Sequence, residues 1–318
     1  MKHLIILASA LTLSMSAFSQ TDTTYNCQKG SYLSFGVGGG LHSLGYKLSD
    51  YGNKTLSGGI SANLIYSYYF TPHFGLGFGA QLQTFSSTAK LNYIAEINGA
   101  IDDDNDTYTH RTYYNDLKEN QKQTQLAIPV ELFYQTQLST KLKLNLGLGV
   151  MPELVLSESY KIKSGNLETR ASYPELNLEL HDLEHHHLYK SSIFSGNYDY
   201  KTSIAGIFNA QMLYALNSNV DLLFGIYTSY SFNSQTSPEN QKQYDPDCMS
   251  DYTSPEYKGV LNSEVTSKVN PFTLGGQIGL RFRFKHKEKS KPEEPITEKV
   301  EEKVEEPQPE QQVVETQP

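Results

Sequence analysis

The segment KLKLNLGLGV, residues 141–150, most constrains what this chain can fold into. Apolar residues fall on every even position and polar residues or glycines on every odd one. Successive side chains of a β-strand point to opposite faces, so the segment predicts a strand with one apolar face and one polar face. A helix would scatter the same leucines around its whole circumference.

Seven other segments alternate in the same way. In chain order the eight cover residues 32–46, 59–70, 74–83, 124–136, 141–150, 203–216, 222–232 and 272–284. Each is long enough to cross a bilayer, which takes about 9 to 11 tilted strand residues. The sixth is the least regular, since Ile207 and Leu213 fall on its polar face. Together these segments predict a barrel that spans a membrane.

The connections between these segments alternate in length. Those after the second, fourth and sixth segments are a few residues long, whereas the others are longer, and three of them reach about thirty residues or more. Outer-membrane barrels have short periplasmic turns, long external loops and aromatic girdles, and tyrosines and phenylalanines gather near these strand ends. We therefore predict an all-β protein: an eight-stranded antiparallel transmembrane β-barrel over residues 31–285, with long extracellular loops, in the bacterial outer membrane.

The two ends of the chain differ from the rest. Residues 1–19 have a basic start, an apolar run over 4–13 and small residues at the exit, which is typical of a secretory signal peptide. Residues 20–30 are predicted as a periplasmic N-terminal segment. Residues 286–318 are rich in Glu, Lys and Pro and contain no aromatic residue, so they predict a disordered acidic periplasmic tail. This tail is either a tether toward peptidoglycan or a periplasmic partner, or a solvated extension without a partner.

Composition restricts the remaining classes. The net charge of −9 excludes nucleic acid as a partner, because there is no basic excess to neutralise phosphates. A mean hydropathy of −0.49 is too polar for a helical membrane protein but fits a barrel, in which one residue in two faces lipid. Cys27 and Cys248 are predicted on opposite sides of a hydrocarbon layer about 30 Å thick, too far apart for a disulfide. A soluble barrel with its apolar face turned inward, as in lipocalins, explains neither the unequal connections nor the girdles.

Three patterns carry a resemblance to a known group of proteins. They are FTPHFGLGFG at 70–79, AIPVELFYQ at 127–135 and the aromatic-ended GLRFRF at 279–284. With these, the chain resembles the small outer-membrane β-barrel proteins, which include the N-terminal barrel of outer membrane protein A and the porin family of Bacteroidetes. The resemblance covers about residues 31–285 and implies a barrel without implying a reaction. The chain differs from outer membrane protein A in having no folded peptidoglycan-binding domain after the barrel.

Four charged residues project toward the predicted interior: Glu131, Lys143, Arg281 and Arg283. Charges in such a place must pair or reach water. Because Glu131 is the only acid of the four, we predict that it pairs with at least one of the bases, in particular Arg281. The interior of an eight-stranded barrel is just wide enough to be filled by side chains, so an ionic plug is favoured over a narrow gated path.

Two clusters in the long connections have the residue types of metal ligands. The motif HDLEHHH supplies His181, His185, His186 and His187, and imidazoles suit zinc, copper or nickel. Three alternate carboxylates, Asp102, Asp104 and Asp106, suggest a calcium loop. The calcium pattern is incomplete, since Thr107 stands where an EF-hand needs glycine and Tyr113 where it needs glutamate. A polar surface loop is the alternative for both clusters, and the sequence predicts no cofactor.

The sequence contains no complete catalytic motif. Some small outer-membrane barrels modify lipids with a histidine base and a serine nucleophile, and His42 beside Ser43, or His110, has the residue type for that role. We predict instead a non-catalytic outer-membrane protein with a structural or surface-interaction role and a plugged lumen. Its partners are outer-membrane lipid and an extracellular ligand or protein at the long loops. The alternative is a lipid-modifying enzyme, or a barrel that transports a small solute or metal ligand.

Overall fold

The computed structural model describes residues 26–102, 104–181, 188–190, 194–236, 244–245, 256–266 and 268–284. The predicted signal peptide and C-terminal tail lie outside these residues. So does Cys248, so the prediction that it forms no disulfide with Cys27 stays a prediction. No helix in the described ranges is long and apolar enough to cross a membrane.

Nine strands build a closed wall. They are β1 (Gly30–Ser43), β2 (Gly58–Tyr69), β3 (Phe74–Ile101), β4 (Thr107–Ala127), β5 (Val130–Gln137), β6 (Leu142–Tyr173), β7 (Ser203–Ala215), β8 (Val220–Ser231) and β9 (Phe272–Arg283). Neighbouring strands are antiparallel, and β9 pairs back with β1. Both β4 and β5 pair with β3 and β6, so they form one wall segment and the ring has eight. The predicted eight-stranded antiparallel barrel is confirmed.

The break between β4 and β5 lies at Pro129, which has no N–H to donate to a neighbouring strand. The wall stays closed there, because the Gly79 amide donates to the Pro129 carbonyl at 3.2 Å and the Ile128 amide donates to the Pro152 carbonyl at 3.0 Å. A single proline is therefore accommodated without opening the ring.

The alternation of the strands sets the two faces of the wall. Large apolar side chains face outward and are exposed, among them Phe35, Val37, Ile60, Leu64, Leu132, Leu148, Ile226 and Ile278. Polar side chains such as Lys143 and Asn145 are buried inside. The two apolar residues that the pattern placed on the polar face, Ile207 and Leu213, are also buried in the interior. The outer surface is that of a protein in lipid.

The two ends of the barrel differ. At one end, which we call the turn end, the connections 70–73, 138–141 and 216–219 are short, as predicted. Exposed aromatic residues gather there, namely Tyr68, Phe70, Phe74, Tyr134, Phe282 and Phe284. They form the expected girdle, in which an apolar ring meets lipid near its boundary with water. We call the opposite end the loop end.

Much of the chain at the loop end is sheet. Strand β3 has 28 residues, β4 has 21 and β6 has 32, far more than a membrane crossing needs. The connections after the third and fifth predicted strands are long, but most of their length continues the wall beyond the lipid-facing rows. The predicted third strand ends at Gln83, where the outward residues stop being apolar although the alternation continues. The predicted fifth strand ends at Val150, although Leu154 and Leu156 are outward, exposed and apolar as well.

A large core of buried apolar side chains lies at the loop end. The wall strands supply Phe85, Ala89, Leu91, Tyr114, Leu117, Tyr160, Ile162 and Leu167. The connections supply Leu44, Tyr46, Leu48, Phe194, Tyr198, Tyr257, Val260, Leu261, Val265 and Val269. Residues 257–266, which we call the closing segment, thus pack against the inner face of the wall. Burying each large apolar side chain contributes roughly 1.5 to 3 kcal/mol, so this packing holds the segment in place.

Candidate functional site

The interior of the barrel near the turn end holds an ion cluster around Asp221. Arg281 donates to Asp221 Oδ2 from Nη2 at 2.7 Å and from Nε at 3.0 Å. Lys143 Nζ lies 3.6 Å from Asp221 Oδ1. Arg281 also donates to Gln135 Oε1 at 3.2 Å, and its guanidinium lies 4.5 Å from the centre of the Tyr32 ring. One buried acid is therefore shared by two buried bases.

The predicted pair between Glu131 and Arg281 is wrong. Asp221 stands directly opposite Arg281 in the pairing of β8 with β9, and this short cross-strand contact satisfies the guanidinium. Glu131, 2% exposed, instead accepts a hydrogen bond from Asn209 Nδ2 at 2.5 Å. Arg283 lies at the end of β9, half-buried, and its Nε has no hydrogen-bond partner among the described residues. Asp221 belongs to β8, whereas the predicted seventh strand starts one residue later and leaves out this acid.

A small cavity separates Glu131 from this ion cluster. Its volume is about 20 Å³, and its lining includes Glu131, Asn145, Asn209, Gln277 and Arg281. A polar cavity of this size holds about one water molecule.

A second layer of the interior is made of side-chain amides. Gln83 Nε2 donates to Gln125 Oε1 and to Glu153 Oε1, both at 3.2 Å. Gln125 Nε2 donates to Gln235 Oε1 at 3.1 Å, and Gln235 Nε2 donates to Ser203 Oγ at 2.8 Å. An amide both donates and accepts, so these residues connect strands across the lumen.

The third layer, at the loop end, centres on Glu119 of β4, which is fully buried. Its carboxylate accepts hydrogen bonds from the Tyr198 hydroxyl, from the Tyr257 hydroxyl at 2.7 Å and from Gln121 Nε2 at 2.9 Å. The Val260 amide donates to both carboxylate oxygens, at 3.1 and 3.0 Å. Burial raises the pKa of Glu119, although these donors act in the opposite direction. One side chain thus ties the closing segment to the wall.

His42 does not form the catalytic pair that its neighbour Ser43 suggested. Its Nε2 lies 2.7 Å from the Tyr227 hydroxyl, and its Nδ1 lies 2.8 Å from the Thr84 carbonyl oxygen. Both ring nitrogens are therefore engaged inside the barrel. His110 is buried on β4.

Of the predicted histidine cluster, the structure describes His181 alone. This residue is exposed, and its Nδ1 lies 3.4 Å from Glu168 Oε1. The others, His185, His186 and His187, lie outside the described residues. Across the described ranges, no group of three or more His, Cys, Asp or Glu side chains is placed to hold a metal ion.

The predicted calcium loop forms the tip of the hairpin between β3 and β4. Asp102 Oδ1 accepts hydrogen bonds from the amides of Asp104 at 3.1 Å and Asp106 at 2.8 Å. Its Oδ2 accepts one from the Tyr173 hydroxyl at 2.8 Å. These bonds, that of the Asp106 amide first, lower the pKa of Asp102. One oxygen of this carboxylate therefore serves the turn, and the other joins the turn to β6.

A closed antiparallel ring with an apolar outer face and a polar, packed interior defines the class of outer-membrane β-barrels. The family model described as outer membrane protein beta-barrel domain matches residues 18–221, and the chain belongs to this family. The protein is therefore an outer-membrane protein, surrounded by lipid.

Solved structures of small outer-membrane barrels are similar to this chain. Neisserial surface protein A is 12% identical, with a TM-score of 0.35 over 80% of this chain and 97% of its own. OprG from Pseudomonas aeruginosa is 11% identical, with a TM-score of 0.37 over 82% and 99%. Ail from Yersinia pestis is 10% identical, with a TM-score of 0.28 over 81% and 100%. No curated protein matches the sequence.

Proposed function

We propose that this protein is a non-catalytic outer-membrane barrel with a closed lumen, whose turn end faces the periplasm and whose loop end meets an extracellular ligand or protein. The observation that carries the proposal is the three-layered interior. A solute on its way through the barrel meets the closing segment at Glu119, then the amide layer around Gln125, then the ion cluster at Asp221.

Each layer resists opening for a different reason. Undocking the closing segment exposes a large apolar core to water. Separating the amides leaves buried donors and acceptors unsatisfied, which costs about 1 to 3 kcal/mol for each group. Separating Arg281 from Asp221 leaves a buried charge without its partner, which costs still more. A steady open pore therefore conflicts with three independent sets of contacts.

Planar bilayers test the closed lumen. We expect purified full-length protein to give no steady ion current at neutral pH and moderate salt. A steady current of porin size from the wild-type protein would contradict the proposal.

Incubation with outer-membrane lipids followed by mass spectrometry tests catalysis. Any altered lipid species that depends on His42 would support the lipid-modifying alternative.

Epitope insertion tests the orientation. An epitope after Glu175, next to the exposed Leu176 at the far end of β6, is expected to bind antibody on intact cells. The matched control is an epitope after Ser218 in a short turn, which we expect to stay hidden until the outer membrane is permeabilised. The reverse labelling would overturn the orientation.

The surface that we propose for an extracellular partner lies on the outer face of the sheet above the membrane. Arg111 pairs with Glu96 at 2.8 Å, and Arg170 pairs with Glu168 at 2.7 Å and stacks 4.3 Å from the centre of the Tyr113 ring. Arginine and tyrosine are enriched at protein interfaces, which supports this placement.

For residues 286–318 we propose a tether toward peptidoglycan or a periplasmic partner, and co-sedimentation of the full chain with isolated peptidoglycan tests it.

A further inference from the structure

Five exposed lysines lie on the outer face of the wall, just above its lipid-facing rows. We call this set the lysine patch, and it consists of Lys90, Lys118, Lys122, Lys161 and Lys163. They come from three adjacent strands, β3, β4 and β6. Lys90 stands directly opposite Lys118, and Lys161 stands opposite Asn120, which lies between Lys118 and Lys122 on β4.

The patch carries an excess of positive charge. Lys90 forms an ion pair with Asp116 at 2.9 Å. Within the described ranges, no ion pair is recorded for the other four lysines. Like charges directly opposite each other destabilise a sheet, but Asp116 attracts both Lys90 and Lys118 and so offsets the repulsion between them. The other three lysines of the patch leave it with a positive excess that an external anion would neutralise.

The height of the patch follows from the strand register. Leu82 of β3 and Leu126 of β4 are paired, and Leu126 is paired with Leu154 of β6, so these three form a lipid-facing row. The next outward residue on β4 is Thr124 and the one after it is Lys122. At about 3.3 Å per residue, Lys122 lies roughly 13 Å along the strand from Leu126. Because the strand is tilted, the height of Lys122 above the leucine row is smaller than this distance. A lysine stem reaches several ångströms back toward the apolar surface.

We propose that the lysine patch docks the phosphate groups of an anionic lipid in the outer leaflet, with its acyl chains on the row of Leu82, Leu126 and Leu154. Lys122 lies at the level of lipid head groups, and Lys161 and Lys118 lie two and four residues further up. The leucines below them face acyl chains, and all of these residues belong to the same three strands. This continuity favours a lipid over a soluble anion. The inference rests on the orientation proposed above, because the loop end must face the outer leaflet.

The structure also indicates what kind of head group fits. The lysines occupy more than one height, from Lys122 nearest the leucine row to Lys90 and Lys118 further up. Side chains able to hydrogen-bond lie between them, namely Ser86, Thr88, Asn120 and Ser159. An extended head group with several phosphates and with hydroxyl groups matches this mixture of cations and polar side chains, as a phosphorylated glycolipid does.

Binding to defined lipids in detergent tests the proposal without depending on orientation. The probe is lipid A with both phosphates, titrated into the purified full-length protein and followed by native mass spectrometry. The test variant is the triple change Lys118→Gln, Lys122→Gln and Lys161→Gln. The matched control removes three exposed lysines elsewhere, Lys29→Gln, Lys47→Gln and Lys268→Gln.

We expect the test variant to bind lipid A about a hundredfold more weakly, since each of the three lysines near an anionic surface contributes about a factor of five. The control variant is expected to bind like the wild type. Dephosphorylated lipid A is expected to bind the wild type as weakly as lipid A binds the test variant. Equal weakening by both triple changes, or equal binding of both lipids, would overturn the proposal.

Two further arms identify the anion. Inorganic phosphate or soluble dextran sulfate that binds the wild type as tightly as lipid A does would contradict a lipid ligand, and dextran sulfate would indicate an extracellular polyanion instead.

If the test variant does not fold, the wild type alone decides the matter. Its preference for phosphorylated over dephosphorylated lipid A must vanish at about 1 M salt, where charges are screened within about 3 Å. Failure of the epitope test with success here would reverse the orientation: the patch would still bind an anionic lipid, but the assignment to the outer leaflet would be overturned.

Discussion

The same three strands, β3, β4 and β6, build two regions with opposite polarity. Near the membrane their outward residues are apolar, as at Leu82 and Leu126, and their inward residues include amides such as Gln125. Above the amide layer many inward residues are apolar, as at Leu117 and Ile162, and the outward residues include the lysine patch. The alternation of the strands is unbroken through most of this change. The medium that contacts the outer face of the wall changes instead. It is lipid in the lower region and water in the upper one.

This comparison shows that alternation and polarity are separate signals. A strand in lipid turns its apolar side chains outward, whereas a sheet in water encloses them. A single strand can do both in succession if the inside also changes from polar to apolar at the same height. Here that transition falls near Gln83 and Gln125, where the amide layer gives way to Phe85 and, further up, to the core around Leu117.

The largest expected effect comes from the lower interior. Replacing Arg281 by alanine leaves Asp221 with Lys143 at 3.6 Å as its remaining basic neighbour, and breaking a buried ion pair costs about 3 to 5 kcal/mol. Urea unfolding of the protein in lipid vesicles measures this loss. Arg283→Ala is the matched control on the same strand and is expected to cost much less. Equal losses for the two changes would show that the lower interior does not depend on the ion cluster.

The upper core gives the next effect. Leu117→Ala removes a fully buried side chain from the core at the loop end, and a cavity of this kind costs about 2 to 5 kcal/mol. Leu132→Ala, which faces lipid, is the control and is expected to cost less, because lipid fills the space. Both are measured by the same urea unfolding. If Leu132→Ala proved the more damaging, the upper region would not be a packed core.

A charge placed on the outer face separates the two regions directly. Leu132→Lys on the lipid-facing wall is expected to cost about 2 to 4 kcal/mol, because a lysine in the middle of the bilayer is poorly solvated. Ile94→Lys, at an exposed position on the upper part of β3, is expected to change stability by about 0.5 kcal/mol or less, as surface changes usually do. A large loss at Ile94 would place the upper sheet in lipid.

The smallest effect concerns pH. Burial raises the pKa of Glu119 above its ordinary value of 4.5, so the protonated carboxyl is favoured while the closing segment is docked. This contribution to docking is complete below pH 4.5 and is lost as the pH rises through the raised pKa. Hydrogen exchange of residues 257–266 should therefore become faster as the pH rises, beyond the intrinsic effect of pH on exchange. The groups that face Glu119 are Tyr198, Tyr257 and Gln121.

The variant Glu119→Gln isolates this effect, because glutamine has the same shape and does not titrate in this range. We expect its closing segment to show no such additional acceleration. Glu175→Gln, on the exposed connection after β6, is the control and should follow the wild type. An unchanged pH dependence in Glu119→Gln would assign the effect to another group.

The eight wall segments and their faces were predictable from the sequence. A strand with one face in lipid alternates apolar and polar residues, and this alternation identifies both faces. The upper sheet was not predictable, because its outward residues are polar and its core is completed by the closing segment, which lies far away in the chain. Gln121 and Gln123 alternate with outward residues directly before the fourth predicted strand, and this continued period was the signal that could have extended it. Asp221 was missed through a strand boundary placed one residue late. Glu119 was missed because its partners come from two distant connections.

In the orientation that we propose, the length of β6 sets how far this protein extends from the cell. Residues 155–173 continue the strand beyond the last lipid-facing row, which at about 3.3 Å per residue is about 60 Å along the strand and roughly 45 Å in height for a tilt near 40°. The far hairpins are therefore raised on a hydrogen-bonded support rather than on a loop that folds back. On a cell coated with polysaccharide, chains shorter than this leave the tips accessible to large ligands and antibodies, whereas longer chains bury them. The accessibility of the partner surface is thus set by the surrounding coat as much as by the protein.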